Sequence, residues 1–230
     1  RKGRFACDPP DEQVSRNDLP MADKSGISWT DATWNLLKAE LLDVVAMDSG
    51  RELPIGKRGF HCEKVSPACD NCYAERYNKR GLPGCGTSLP YTRSSRDKVK
   101  IVLAQKHVFD PIRWTKPRKI FPCSMTDLFG EFVPDEMIDT AFAVMHLADN
   151  HMFQVLTKRV ARMAEHLSDP TRSDKVYEQI ESVADQCDIA DFPPFDDLPL
   201  ANVMCGATAE NQEWLEKRIE PLKNTPAKYR

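Results

Sequence analysis

Strand and helix patterns alternate along the second half of this 230-residue chain, from Arg118 onward. Apolar runs such as FQVL and NVMCG suit strands buried on both faces, and the segments between them place apolar residues at helical spacing. Alternation of this kind is typical of parallel βα units, so we predict an α/β fold, either an open doubly wound sheet or a (βα)8 barrel. The predicted strands are 118–125, 151–159 and 200–209, and the predicted helices are 135–148, 160–167, 173–186 and 211–222.

The first half of the chain gives a less regular pattern. Residues 26–35 predict a short strand that runs into a polar turn, and apolar spacing predicts a helix at 36–48. A further helix is predicted at 72–80, followed by a long loop at 81–98 that is rich in Gly, Ser and Pro. The segment 97–114 fits both a strand and a helix.

The two ends of the chain differ from its middle. Residues 1–20 are polar, contain Pro9-Pro10 and carry many charges, so we predict a disordered leader there. The last residues, TPAKYR, resemble the start of another strand, which predicts that the chain is a fragment. Residues 21–230 are then one domain, with the apolar fraction of 41% sufficient for a substantial core.

Charge and hydropathy exclude some classes of protein. No apolar run approaches the roughly 20 residues that a membrane span needs, and no signal peptide follows Arg1. We therefore predict a cytoplasmic protein without a membrane partner, in which thiols stay reduced. The net charge of −3 is not that of a chain that coats a polyanion. Basic stretches at 76–80 and 113–119 fit either solvated loops or a surface that contacts phosphates.

Three cysteines lie within eleven positions in the stretch HCEKVSPACDNCYAERY. Cys62, Cys69 and Cys72 follow the spacing Cys-x6-Cys-x2-Cys among polar residues, which is unlike a core segment. Thiolates are soft ligands that select zinc or iron–sulfur clusters. A zinc site needs a fourth ligand, for which Cys85 or His61 is available, whereas a cluster held by three cysteines leaves one iron open. We predict that the three sulfurs converge on one metal near the carboxyl ends of the strands.

The remaining cysteines of the βα region predict packing, because a lone cysteine usually behaves as a small apolar residue. Cys123 and Cys205 lie on predicted strands, and Cys187 follows a predicted helix.

Polar residues follow each predicted strand and would meet at one end of the sheet. Such residues also cap helices, which is the alternative for each one taken singly. As a set, with Lys158 and Arg159 available for anions, they predict a ligand pocket. Its candidate residues are Asp31, Asn35, Ser124, Asp127, Glu131, Thr157, Lys158, Arg159, Glu210 and Asn211.

Five motifs occur in a distinctive order: SWTDATWN, CEKVSPACDNCYAE, CSMTDLFGEFVPDE, FQVLTKR and ATAENQ. Together they resemble the phage gp-thirty-seven/gp-sixty-eight family, also called three-Cys-motif proteins, from about residue 26 to 230. The resemblance implies a TIM-like barrel, of which this chain would be the N-terminal portion with a three-Cys insertion loop and with its C-terminal part missing. It also implies that the cysteine motif is a variant of the three-cysteine triad of radical S-adenosylmethionine enzymes.

The sequence departs from these patterns at three points. The first cysteine gap is six residues where the radical triad has three, and Asn71 precedes Cys72 where the triad has an aromatic residue. Ala68 stands where the family often has glycine.

Two functions of different classes follow from the resemblance and the cysteines. The first is a radical-type enzyme in which Cys62, Cys69 and Cys72 hold a 4Fe–4S cluster, with S-adenosylmethionine at the open iron and a nucleic acid or nucleotide as substrate. The second is a non-enzymatic protein with zinc on the same cysteines that binds nucleic acid or a partner protein. A third hypothesis is a barrel enzyme that uses a different reaction chemistry and holds a structural metal. The sequence names no substrate and no reaction.

Overall fold

The computed structural model describes residues 25–47, 50, 52–81 and 86–230. The predicted leader at 1–20 and the zinc candidate Cys85 lie outside these residues. The strands are β1 (Ala32–Trp34), β2 (Leu37–Leu41), β3 (Val45–Ala46), β4 (Glu52–Leu53), β5 (Arg58–Gly59), β6 (Val99–Leu103), β7 (Lys119–Pro122), β8 (Met152–Thr157) and β9 (Val203–Ala207). The helices are α1 (Tyr73–Arg80), α2 (Asp110–Arg113), α3 (Asp135–Leu147), α4 (Val160–Ser168), α5 (Arg172–Gln186) and α6 (Gln212–Asn224).

A parallel sheet of four strands organises the second half of the described chain. Its order is β1, β7, β8, β9, so each strand lies beside the one that follows it in this series. Beyond β9, Tyr229 forms a parallel bridge with Met204, which extends the same edge. The predicted mixed α/β fold with a parallel sheet is confirmed.

Helices cover one face of this sheet because each connection between parallel strands must cross over. The connection from β7 to β8 contains α3, and the connection from β8 to β9 contains α4 and α5. On β8, Phe153 and Val155 are buried in the main core with Ile120 of β7, and Trp34 of β1 packs on Phe153 with ring centroids 5.8 Å apart. Pro134 immediately before α3 and the acidic residues of its first turn fit the predicted helix start.

The first half of the chain contains smaller antiparallel sheets. The predicted helix at 36–48 is wrong, since β2 and β3 occupy its described part. Leu37 and Leu41 are four positions apart, which fits a helix, but with Ala39 between them they also fit the buried face of a strand. Pairing with β5 and β6 decides between the two periods, because the polar groups of β2 are satisfied by neighbours on both sides.

Other predictions for this half are confirmed in part. The helix predicted at 72–80 is α1, and the ambiguous segment 97–114 contains both β6 and α2. The strand predicted within 26–35 covers only β1, so residues 26–31 precede the strand as turns. The described part of 81–98 is loop up to a 3-10 turn at Arg93–Lys98. No helix among the described residues is long and apolar enough to cross a bilayer.

Candidate functional site

A cavity of about 270 Å³ opens at the carboxyl edge of the parallel sheet. It receives side chains from the loops after β7, β8 and β9 and from the cysteine segment before α1. The structure therefore brings the three predicted metal ligands and half of the predicted pocket residues to one place. Among its lining residues are Cys62, Cys69, Cys72, Cys123, Ser124, Asp127, Thr157, Lys158, Arg159 and Thr208.

Asp127 joins the loops that follow β7 and β8. Its carboxylate is buried and accepts hydrogen bonds from the Thr157 hydroxyl at 2.7 Å and from the Lys158 backbone N–H at 3.1 Å. It also accepts from Arg159 Nη1 at 3.1 Å and from the backbone of Phe129 at 3.1 Å. Four donors on one buried carboxylate satisfy the charge and fix both loops at the cavity wall.

Arg159 connects this network to the cysteine segment. Its Nε donates to Glu131 at 2.6 Å, and its Nη2 donates to the backbone carbonyl of Glu63 at 2.9 Å, directly after Cys62. Burial acts to lower the pKa of Arg159, but the carboxylates of Asp127 and Glu131 outweigh it and raise this pKa. A permanent positive charge therefore lies beside the thiol of Cys62. Glu131 itself does not line the cavity, and its side chain is largely exposed to solvent.

Three side chains bond the cysteine region to the loop after β7. The Thr126 hydroxyl donates to the carbonyl of His61 at 2.5 Å. The phenol of Tyr73 donates to the carbonyl of Ser124 at 2.5 Å, and Tyr91 donates to the carbonyl of Met125 at 2.7 Å. These bonds join residues that are far apart in sequence, so they fix where the thiols lie relative to the sheet.

The local fold of the cysteine segment explains how two of the thiols reach one wall. A 3-10 turn covers Pro67–Asn71, with Pro67 at its first position, where a missing N–H costs little. The backbone N–H of Cys69 bonds to Ser66, and that of Cys72 bonds to Cys69. Cys72 is also the residue before α1, so Cys69 and Cys72 lie on consecutive turns.

Two of the thiols, those of Cys62 and Cys123, lie in surroundings that keep them protonated. Burial, and secondly the charge of Asp127, raise the pKa of Cys62 to about 12. The same two causes raise the pKa of Cys123 well above its ordinary range. Cys69 is half-buried, with its sulfur 3.9 Å from the hydroxyl of Ser66. A metal that bound here would have to displace protons, which is the usual condition for thiolate ligation.

The thiols are suitable ligands for a soft metal, although the described side chains are not arranged as a metal site. Free thiols on a shared cavity wall are the ligands that zinc and iron–sulfur clusters prefer. Within the described ranges, however, no group of three or more His, Cys, Asp or Glu side chains is placed to hold a metal ion. The predicted convergence of the three sulfurs is therefore not seen. His61 is buried beside Glu63 and edge-on to Phe132, and it is not among the residues of the cavity wall.

Two predicted pocket residues lie behind or away from the cavity. Asn35 supports its wall, because its side-chain oxygen accepts from the Ser124 hydroxyl at 3.2 Å and from the Met125 N–H at 3.1 Å. Asp31 was wrongly assigned. It precedes β1 and therefore lies at the amino edge of the sheet, where its carboxylate accepts from the backbone of Lys119 at 2.7 Å.

The residues predicted after β9 serve the α6 helix. Asn211 is its N-cap and accepts from the backbone of Trp214 at 3.0 Å, which is the ordinary capping role. Glu210 pairs with buried Arg218 at 2.8 Å. Burial acts to raise the pKa of Glu210, but the hydroxyl of Ser66 and the guanidinium of Arg218 outweigh it and lower this pKa to about 2. Glu210 therefore fixes the loop after β9 to α6.

An apolar wall of the cavity escaped prediction. Phe121 and Leu156 lie on the sheet face opposite the helices, a position that strand alternation gives once the strand bounds are known. Trp29 packs on Phe121 with ring centroids 5.0 Å apart. Cys123 is buried, as predicted, but it also lines the cavity, and its φ of 58° is a backbone conformation that L-residues seldom adopt.

Comparison with known proteins places this site within one family. A family model described as a protein of unknown function, DUF5131, matches residues 58–230. The chain belongs to this family. The DUF5131 match contains the three clustered cysteines together with Asp127 and Arg159. No curated protein and no solved structure matches the chain.

Proposed function

We propose that this protein is an iron–sulfur enzyme of the radical S-adenosylmethionine type, with its cluster on Cys62, Cys69 and Cys72. One observation carries the proposal: these three thiols line a single cavity at the carboxyl edge of a parallel sheet, where α/β enzymes place their chemistry. Three protein thiolates leave one iron of a 4Fe–4S cluster open for S-adenosylmethionine. The resemblance to phage three-Cys-motif proteins supports the same assignment.

The strand order supports a partial TIM-like barrel as the scaffold. Sheets of the doubly wound type reverse their strand order at a switch point, and ligands bind there. In the parallel sheet described above each strand adds on the same side, and Tyr229 continues in that direction. A barrel is built by this kind of addition, and its interior face would carry Phe121 and Leu156.

The residues around the thiols are suited to an ionic ligand. When bound, the cluster with S-adenosylmethionine would supply one-electron chemistry. The buried Asp127–Arg159 pair holds the loops after β7 and β8 in place. The backbone carbonyl of Glu63 accepts a hydrogen bond from Nη2 of the same guanidinium. Lys158 lines the cavity, and its ammonium has no ion pair or hydrogen bond with a described residue, so it is available for a carboxylate or phosphate.

A second candidate rests on the fourth thiol. Cys123 lines the same cavity as the other three, and four thiolates form the closed set of a structural zinc site. The protein would then be a zinc-binding module that recognises a nucleic acid or a partner protein. Cys85 and His61 remain the other candidates for a fourth ligand under this alternative.

Anaerobic reconstitution with iron and sulfide tests the two candidates. We expect the full chain to take up iron, turn brown and bind S-adenosylmethionine in equilibrium dialysis. Cys69→Ala should abolish the colour, and Cys187→Ala, which removes a buried thiol outside the cavity, should retain it. Zinc in elemental analysis of the purified chain, lost in Cys123→Ala, would favour the alternative. Iron retained by Cys69→Ala would contradict the whole assignment.

The substrate, partner and location are proposed at a coarser level. The mixture of unpaired lysine, hydroxyls and aromatic rings in the cavity suits a nucleic acid or nucleotide, and a protein partner fits the zinc alternative. We propose the cytoplasm as the location, because six described cysteines are free and clustered thiols persist in a reducing compartment. Thiol labelling of the protein in intact cells, compared with the oxidised protein, would test the location.

A further inference from the structure

The exposed face of α1 carries two tyrosines and two arginines at helical spacing. Tyr73 and Tyr77 are 44% and 50% exposed and lie one turn apart, so their rings are neighbours. Arg76 and Arg80 are exposed at the intervening positions of the same stripe. We call this set of four side chains the α1 stripe. It occupies the basic stretch at 76–80 and its N-terminal flank, and the cysteine site does not use Tyr77, Arg76 or Arg80.

The opposite face of α1 fixes the direction in which the stripe points. Asn78 is fully buried, and its side-chain oxygen accepts from the backbone of Phe60 at 2.9 Å and of Thr87 at 3.0 Å. Its amide donates to the Thr87 hydroxyl and to the carbonyl of Leu89, both at 2.9 Å. With every polar atom of Asn78 bonded, the helix is held against rotation and the stripe stays in solvent.

The charges of the α1 stripe are positive and uncompensated. The guanidinium of Arg76 has no ion pair or hydrogen bond with a described residue, and Arg80 lies 5.0 Å from the ring centroid of Tyr77. The nearby carboxylates are already paired: Glu75 is buried with Lys79 at 2.9 Å, and Asp70 is 3.2 Å from the ammonium of Lys64. A chain of net charge −3 therefore presents a local basic surface here.

The stripe leads into the cavity. Tyr73 lines the cavity, and its hydroxyl is held by the carbonyl of Ser124, so the ring is rigid and half of it remains exposed. Trp29, 40% exposed, lines the same cavity and adds a third ring at the mouth. Lys158, without a side-chain partner among the described residues, places another cation inside. Two aromatic rings and a cation therefore line the cavity that the α1 stripe adjoins through Tyr73.

We infer that the α1 stripe binds single-stranded nucleic acid and directs it toward the cavity. Bases stack on Tyr73 and Tyr77, and backbone phosphates contact Arg76 and Arg80. Rigid exposed rings interleaved with unpaired arginines are the combination that recognises single strands without sequence preference. A protein partner is less favoured, because the two carboxylates beside the stripe, those of Glu75 and Asp70, are already paired with lysines. The inference deepens the proposed function by naming its substrate class, but the contacts need no metal.

Fluorescence anisotropy with labelled oligothymidylate and the full chain tests the inference. We expect saturable binding at low salt, with weaker binding to the duplex of the same strand and oligoadenylate. Tyr77→Ala should weaken binding by about tenfold, since one stacked base is lost, and Tyr77→Phe should retain it. Arg76→Ala should reduce the slope of log affinity against log salt by about 0.7, the value for one phosphate contact on a single strand.

Matched controls come from α5, which does not line the cavity. Tyr177→Ala removes a tyrosine that is 41% exposed, and Lys175→Ala removes an exposed cation of the same helix, so both should bind as the unchanged chain does. Wild-type affinity in Tyr77→Ala, equal losses in the control variants, or equal affinity for the duplex would each overturn the inference. Cys69→Ala separates the two proposals. If this variant loses iron but still binds the oligonucleotide, the inference about the α1 stripe holds independently of what the cavity binds.

Discussion

The two halves of the molecule are stabilised in different ways. The βα half, residues 118–224, has one large core in which Phe142, Met145 and Phe153 are fully or almost fully buried between helices and sheet. The cysteine half, the described residues from 25 to 117, contributes Trp34, Leu37 and Phe109 to the edge of this core and adds two small clusters around Leu53 and Phe60. Its shape depends more on polar contacts, such as those of Asn78 and Tyr91.

This difference assigns separate roles to the halves. Apolar packing is non-directional and supplies most of the stability, so the βα half can act as a rigid platform. Hydrogen bonds are directional, so the cysteine half can set the positions of its thiols, while most of the core that supports it belongs to the βα half. Asp127 and Arg159 at the junction connect the two, and a bound metal would add stability to the half that has less core.

The largest expected effect tests whether the platform supports both halves. Phe153→Ala removes a fully buried ring that packs on Trp34 of β1, and we expect it to cost about 3–5 kcal/mol of unfolding free energy. Urea denaturation followed by circular dichroism measures this. Tyr177→Ala on the surface of α5 is the control, with a smaller change. A cysteine half that stays protected from hydrogen exchange in Phe153→Ala would show that the halves fold independently.

The junction should respond next. Asp127→Asn leaves the guanidinium of Arg159 without its buried carboxylate, and we expect a loss of about 3 kcal/mol in unfolding free energy. Glu131→Gln is a matched control on the same arginine, because the Glu131 side chain is 53% exposed and such pairs contribute about 0–1 kcal/mol. Equal losses in the two variants, measured by thermal denaturation, would argue against the junction as described.

A smaller and more local effect is expected inside the cysteine half. Asn78→Ala leaves the backbone N–H groups of Phe60 and Thr87 without their acceptor, at a cost of about 2 kcal/mol. Hydrogen exchange should increase around α1 and β5 while the βα half keeps its protection. Asn224→Ala, at the exposed end of α6, should change neither. Increased exchange across α3 and α5 in Asn78→Ala would remove the distinction between the halves.

The smallest effect concerns the ion pair between Glu210, in the loop after β9, and Arg218 of α6. The pKa of Glu210 is lowered from 4.5 to about 2 in the folded protein, so its contribution to stability is present above pH 4.5 and is lost as the pH falls toward 2. Glu210→Gln should therefore flatten this part of the melting-temperature profile. Glu213→Gln, which removes an exposed carboxylate from the first turn of α6, serves as the control. An unchanged profile in Glu210→Gln would show that the pair with Arg218 adds no stability.

The sequence by itself determined the elements of the βα half. The helices predicted at 135–148, 160–167, 173–186 and 211–222 form within two residues of those bounds, because helical periodicity is a property of neighbouring residues. The spacing of Cys62, Cys69 and Cys72 also marked a special segment. Whether that segment binds iron or zinc stays a prediction.

Only the tertiary structure decided where these pieces meet. Leu37 and Leu41 fit two periods, and partner strands selected the strand. Asp31 was placed in the pocket because the start of β1 depends on pairing with β7, which no local pattern reveals. Arg159 reaches the carbonyl of Glu63 across 96 positions of sequence. Local periodicity carries no information about such distant contacts, since they arise when the packed core fixes which loops lie side by side.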